Sequence, residues 1–291
     1  MISDVSPVWF ALASALLFAF GAHLQNLGLA RVRPDRGAAI SIASSAVFFW
    51  AMAPFLLDGA NWSHSAVWIF VLIGLFRPAV SANLAVAGIR YLGPTLASTL
   101  SSTSPLFAAA LGVLWLGETL TWSTALGTAG IIAAVVVLTR RRDPAAASWP
   151  LWALGLPVGA AVVRSVGHVF SKIGLEGIPD PYFAGLVCFS VSALVMIVVQ
   201  RIRPTSQPVP WHSSGPYWFV AAGVIMGVSV VSLNTALMRS QIVTVVPIVA
   251  CSPVFTMLLS VLVFRREKLT AQVVLAVFTV VPSVVLIALY S

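Results

Sequence analysis

Charge is scarce in this sequence. Of its 291 residues, 16 are Lys or Arg and 8 are Asp or Glu, together 8%. A soluble domain needs about 25% to cover its surface with water-facing groups. That shortage excludes a soluble enzyme, a nucleic-acid-binding module and a disordered chain. Cysteine is scarcer still. Cys188 and Cys251 both lie in apolar stretches, so neither a disulfide framework nor a metal cluster is supported. No phosphate-cradling GxxxxGK[ST] loop occurs, which leaves ATP-driven pumping by this chain unsupported and no cofactor expected. What the chain does have is 59% apolar residues and a mean hydropathy of +1.01. It reads as an all-α integral membrane protein whose partners are the lipid bilayer and a small molecule, with no nucleic acid. The +8 formal charge fits cytoplasmic loops better than a nucleic-acid patch, because the basic residues are thinly spread.

A helix needs about 20 mainly apolar residues to cross the hydrocarbon core. Breaking the chain at charges, Gly-Pro pairs and polar clusters gives ten such segments: 7–30, 37–57, 65–89, 93–116, 120–139, 150–173, 181–200, 215–238, 242–264 and 269–290. The first lacks a basic leader and exceeds a typical signal-peptide core, so it is read as a retained span. Connections are short except at 140–149 and 201–214.

The two halves, 1–142 and 143–291, resemble each other. Arg90 matches Arg239, Ser104-Pro105 matches Ser252-Pro253 and Glu118 matches Glu267, at offsets of 148 or 149. Gly21 and Gly28-Leu29 match Gly167 and Gly174-Leu175 at offset 146. Five spans per half is an odd number, so the second half should be inverted relative to the first. Inverted repeats are the architecture of alternating-access carriers that bind substrate near the midplane.

The run GPTLASTLSSTSPLFAAALGVLWLGETLT, followed by GTAGIIAAVVVL, resembles the EamA-type repeat of the drug/metabolite transporter superfamily. Pro105 falls within the fourth helix, Leu116-Gly117-Glu118 follows it, and glycines open the fifth. The second copy is looser, with Arg265-Arg266-Glu267 in place of Leu-Gly-Glu. The resemblance covers nearly the whole chain and implies a ten-helix secondary transporter, an exporter, of the bacterial inner membrane. It leaves the substrate open, because the family exports amino acids, nucleotide-related metabolites, drugs and more.

Charge placement predicts orientation. Arg31, Arg33, Arg36, Arg90, Arg140, Arg141, Arg142, Arg201, Arg203, Arg265, Arg266 and Lys268 all follow odd-numbered spans. The positive-inside rule puts that side in the cytoplasm and both termini outside. Relatives are described with cytoplasmic termini, so the resemblance implies the opposite.

Two arginines fall inside spans. Arg77 lies midway along the third and Arg164 near the middle of the sixth. Each costs about 2.5–3.5 kcal/mol at a helix centre even on the lenient scale, which calls for a polar cavity and an anionic guest, or for backbone carbonyls. Arg164, His168, Ser171 and Lys172 recur along one helical face. Arg77 and Ser81 stand four apart, with Asn83 on another face and Asn234 as its approximate repeat mate. No carboxylate lies within a span. The smaller multidrug exporters of the superfamily bind cationic drugs at a carboxylate in their first helix, and residues 7–30 contain none. The expected substrate is therefore a small anionic or zwitterionic metabolite such as an amino acid, held by Arg77, Ser81, Asn83, Arg164, His168 and Asn234. His23 and His168 are the intramembrane groups able to carry a coupled proton.

Other features read as structural. Glu118 and Glu267 precede the fifth and tenth helices, whose positive ends suit a carboxylate. Pro105 and Pro253 should kink their helices, and the hydroxyls of 98–104 should bond freed carbonyls. Gly155/Gly159 and Gly223/Gly227 permit close helix contact, within a monomer or across a homodimer. A channel is the alternative to a carrier. An intramembrane serine hydrolase, using Ser229 of Gly227-Val228-Ser229 with His168, is a weaker one.

Overall fold

A computed structural model describes residues 6–101, 103–139, 150–202, 209–263 and 271–290, and every regular element among them is helical. The first half supplies α1 (Pro7–Leu29), α2 (Pro34–Leu56), α3 (Val67–Ser101), α4 (Ser104–Leu116) and α5 (Trp122–Thr139). The second supplies α6 (Gly155–Gly177), α7 (Pro181–Ile202), α8 (Gly215–Arg239), α9 (Ile242–Val249), α10 (Ser252–Leu262) and α11 (Ala271–Tyr290). Proline opens α1, α2 and α7 and stands second in α4, α8 and α10, where its missing N–H has no helical partner to lose. Among the described residues, six stretches are long and apolar enough to cross a membrane, and four shorter apolar helices accompany them. Helices satisfy their own backbone polar groups, which is what a lipid environment demands.

Two expected boundaries move. The sequence predicts a connection at 90–92, but helical bonding runs from Val67 to Ser101, through Arg90, Gly93 and Pro94. The chain still doubles back over this stretch. Tyr91 packs on Trp152 at 5.0 Å, yet Ser104 returns to bond Ser165 and the Ala161 carbonyl further along α6. The interruption falls instead at Thr103, just before Pro105, whose ring excludes the carbonyl four residues earlier. The ninth predicted span breaks in the same way at Cys251, just before Pro253. Where kinked helices were expected, there are two breaks at matching places in the repeat.

The repeat is visible in side-chain packing. Phe70 of α3 fills the space beside Gly174 of α6, 2.5 Å from where a Cβ would stand. Its counterpart 149 residues on, Phe219 of α8, does the same beside Gly28 of α1, also at 2.5 Å. Ser192 of α7 donates to the Gly74 carbonyl at 2.9 Å, and Ser45 of α2 to the Gly223 carbonyl at 2.7 Å. The third helix of each half is thus clasped by the first two helices of the other half. Direction follows from the same contacts. Gly28 meets Phe219 while Ser14 meets Ser229, so α1 and α8 are antiparallel. Lys172 near the end of α6 reaches the Leu237 and Ser240 carbonyls at the end of α8, so those two helices finish together. Hence α6 runs opposite to its mate α1.

One glycine pair departs from expectation. Gly223 meets the Ser41 backbone of α2 within the chain, but a Cβ at Gly155 would meet nothing within 4 Å. Gly155 opens α6 with open space where a Cβ would stand.

Candidate functional site

A cavity of about 540 Å³ lies where the two helix breaks converge. Ser101, Ser104 and Pro105 border it from one break, and Val249, Ala250, Ser252 and Pro253 from the other. Arg77, Arg164 and His168 line it from α3 and α6.

The geometry of the basic side chains follows from the backbone around them. Pro105 cannot donate to the Ser101 carbonyl, and that freed oxygen accepts Nη2 of Arg164 at 3.3 Å. The helix break and the arginine therefore satisfy one another. The hydroxyls bond other carbonyls: Thr103 donates to Leu100 at 2.6 Å, and Ser165 to Ser104 at 2.9 Å. Arg77 runs its stem over Gly167, with Cδ 2.9 Å from where a Cβ would stand, so any larger residue at 167 would displace it. Its Nη2 lies 3.5 Å from Nδ1 of His168. A guanidinium has only donors, so a hydrogen bond here requires the lone pair of Nδ1 as acceptor. The ion pairs among the described residues include Arg33–Asp35 and Lys172–Glu118, and neither cavity arginine is joined to a described carboxylate.

The other expected site residues are scattered. Ser81 donates to the Arg77 carbonyl at 2.6 Å, so it serves the helix that carries Arg77 and does not border the cavity. Asn83 belongs to α3, but its side chain falls outside the described residues. Asn234 is buried in α8 away from the cavity lining, its amide nitrogen 3.4 Å from the Pro181 carbonyl. His23 also sits outside the lining, with Nε2 2.8 Å from the Thr256 carbonyl of α10. The polar stripe on α6 divides: Arg164 and His168 enter the cavity, whereas Lys172 turns to the end of α8. Ser229 and His168 do not pair, since Ser229 donates to the Ser14 carbonyl at 2.9 Å and His168 faces Arg77. Phe18 and Met226, which sequence reading passed over as apolar, do border the cavity.

Glu118 also departs from expectation. Gly117 ends α4 in the left-handed region at φ +67°, which glycine adopts without strain. That turn folds Glu118 back over Gly112, where a Cβ would stand 2.8 Å from Oε2. The carboxylate then accepts the N–H groups of Ile242 at 2.7 Å and Val243 at 3.0 Å, so it caps α9 of the other half rather than α5. Lys172 stands 3.8 Å from it. Glu267 lies outside the described residues.

Comparison with known proteins places this architecture. The EamA-like transporter family matches residues 5–140 and again residues 150–289. The chain belongs to that family. It is accordingly a multi-pass membrane protein of transporter type, built from two EamA repeats. The "Uncharacterized transporter YwfM" of Bacillus subtilis (strain 168) is 31% identical over 144 residues. That match covers 47% of this chain and 46% of the relative, about half the length of each. A solved crystal structure superposes with a TM-score of 0.78 over 96% of this chain and 95% of its own, at 17% identity. At that identity the likeness concerns the fold alone.

Proposed function

We propose that this EamA protein is a ten-span secondary carrier, two inverted five-helix repeats joined near residue 142, that exports a small anionic or zwitterionic metabolite such as an amino acid. The observation that carries the reading is the pair of guanidinium groups, Arg77 and Arg164, bordering one cavity at the breaks of two helices without a described carboxylate partner. In a low-dielectric cavity such groups attract an anionic group and repel a cationic one. The antiparallel repeat mates suit alternating access, with the substrate held between halves. His168 touches the arginine that would hold the substrate, and is the better placed of the two histidines to couple a proton. The bacterial inner membrane, with the basic loops in the cytoplasm, is the expected setting.

Purified protein in liposomes should show counterflow of a labelled carboxylate, which a channel would not. Arg77→Leu or Arg164→Leu should lower that flux about 30- to 150-fold, as loss of a charge-assisted contact of about 2–3 kcal/mol predicts. Transport of a quaternary ammonium compound that survives Arg77→Leu would overturn the reading. A reporter active only in the cytoplasm, fused after Ser291, should stay silent if the termini lie outside.

A further inference from the structure

The cavity is chemically lopsided although its frame is symmetric. Arg164 of α6 occupies the repeat position of Phe18 in α1, 146 residues earlier, the offset that also relates Gly167 to Gly21. Arg77 of α3 occupies the position of Met226 in α8, at the offset of 149 that relates Phe70 to Phe219. The packing confirms this register. Met226 lies over Gly21, with Cγ and Cε each 3.4 Å from where a Cβ would stand, in the same way that Arg77 lies over Gly167. All four side chains border the one cavity. Each guanidinium thus has an uncharged, apolar counterpart across the pseudo-twofold relation, and Val246 and Val249 add to the apolar lining.

We infer that Phe18 and Met226 are specificity-determining residues, and that the substrate is an amphipathic carboxylate bearing an apolar side group of about leucine or phenylalanine size. This inference rests on the carrier reading above. The arginine wall takes the carboxylate. The Phe18–Met226 wall takes the apolar group, because a polar group placed there would lose its water without gaining a partner. Small polar acids bind the charged wall alone.

Thermal-shift titration of the purified full-length protein in detergent tests this without a transported label, since a ligand that binds the folded state raises its stability in proportion to RT ln(1 + [L]/Kd). The probes are leucine, phenylalanine and 4-methylvalerate against serine, asparagine and acetate, with leucinamide as the probe that lacks a carboxylate. The expected result is apparent Kd values about 10-fold or more lower for the apolar acids, and no shift with leucinamide. Met226→Gln, close in volume, and Phe18→Ala should reduce that preference to near unity while leaving weak binding of serine. Equal affinity for leucine and asparagine in the unmodified protein would overturn the inference while leaving the anion reading intact. So would a preference untouched by either variant. If either variant fails to fold, the comparison in the unmodified protein still decides. Leucinamide binding as well as leucine, or no shift with any carboxylate, would overturn the anion reading and this inference with it.

Discussion

Glu118→Ala is expected to destabilise the folded protein by about 3 kcal/mol or more. The carboxylate is 8% exposed and accepts two N–H groups at the start of α9. Those donors belong to the first turn of a helix and have no partner within it. Removing the acceptor leaves both of them and the half-buried Lys172 ammonium without their negative partner. Glu118→Gln keeps one acceptor oxygen but sets an NH2 against a backbone N–H, so it should lie between alanine and the unmodified protein. Thermal unfolding of the purified protein in detergent measures the series. An alanine variant with unchanged stability would show that water satisfies the α9 terminus and that the carboxylate has no capping role.

Gly223→Ala should be the most damaging single-methyl addition among the glycines that touch backbone. The new Cβ would overlap the Ser41 carbonyl of α2, and it would also come within 2.9 Å of Ser44 Cβ. A backbone atom cannot swing aside as a side chain can, so α2 and α8 must separate. Separation would also stretch the 2.7 Å bond from Ser45 to the Gly223 carbonyl. Overpacking of this kind costs about 1–3 kcal/mol or more, and the expected outcome is a marked fall in the yield of monodisperse protein. Gly74→Ala should act similarly from the repeat-related site, where the Cys188 carbonyl stands 2.8 Å away. Gly155→Ala is the control. It meets nothing, and stability should change by less than about 0.5 kcal/mol. Size-exclusion profiles and thermal unfolding of the three variants separate these outcomes.

The hydropathy of single segments made the helical membrane fold legible, and punctuating residues such as Gly28, Gly174, Pro105 and Pro253 made the duplication legible. Both signals are local or nearly so. Arg77 and Arg164 stood out because a guanidinium is costly within an apolar run, and the two do border one cavity. Residues whose role depends on a distant partner were not legible. The sequence places Glu118 before α5, yet the left-handed turn at Gly117 aims it at α9, more than 120 residues away. Asn234 and His23 stood out because polar atoms are rare in such spans; each bonds a carbonyl of a neighbouring helix, outside the cavity lining. Phe18 and Met226 were overlooked for the opposite reason: in a chain that is 59% apolar, two more apolar residues carry no contrast. The signal that would have found them was present in the repeat offsets, which place each one on an arginine.

The clasp around α3 and α8 has a consequence for how the molecule is assembled. The recess at Gly74 is filled by a serine-bearing helix from beyond the linker, and the recess at Gly223 by one from before it. Neither half made alone would have anything to occupy its own notch. The product of such a duplication is less a pair of joined modules than a single knot of borrowed helices, each half finished only by what the other lends.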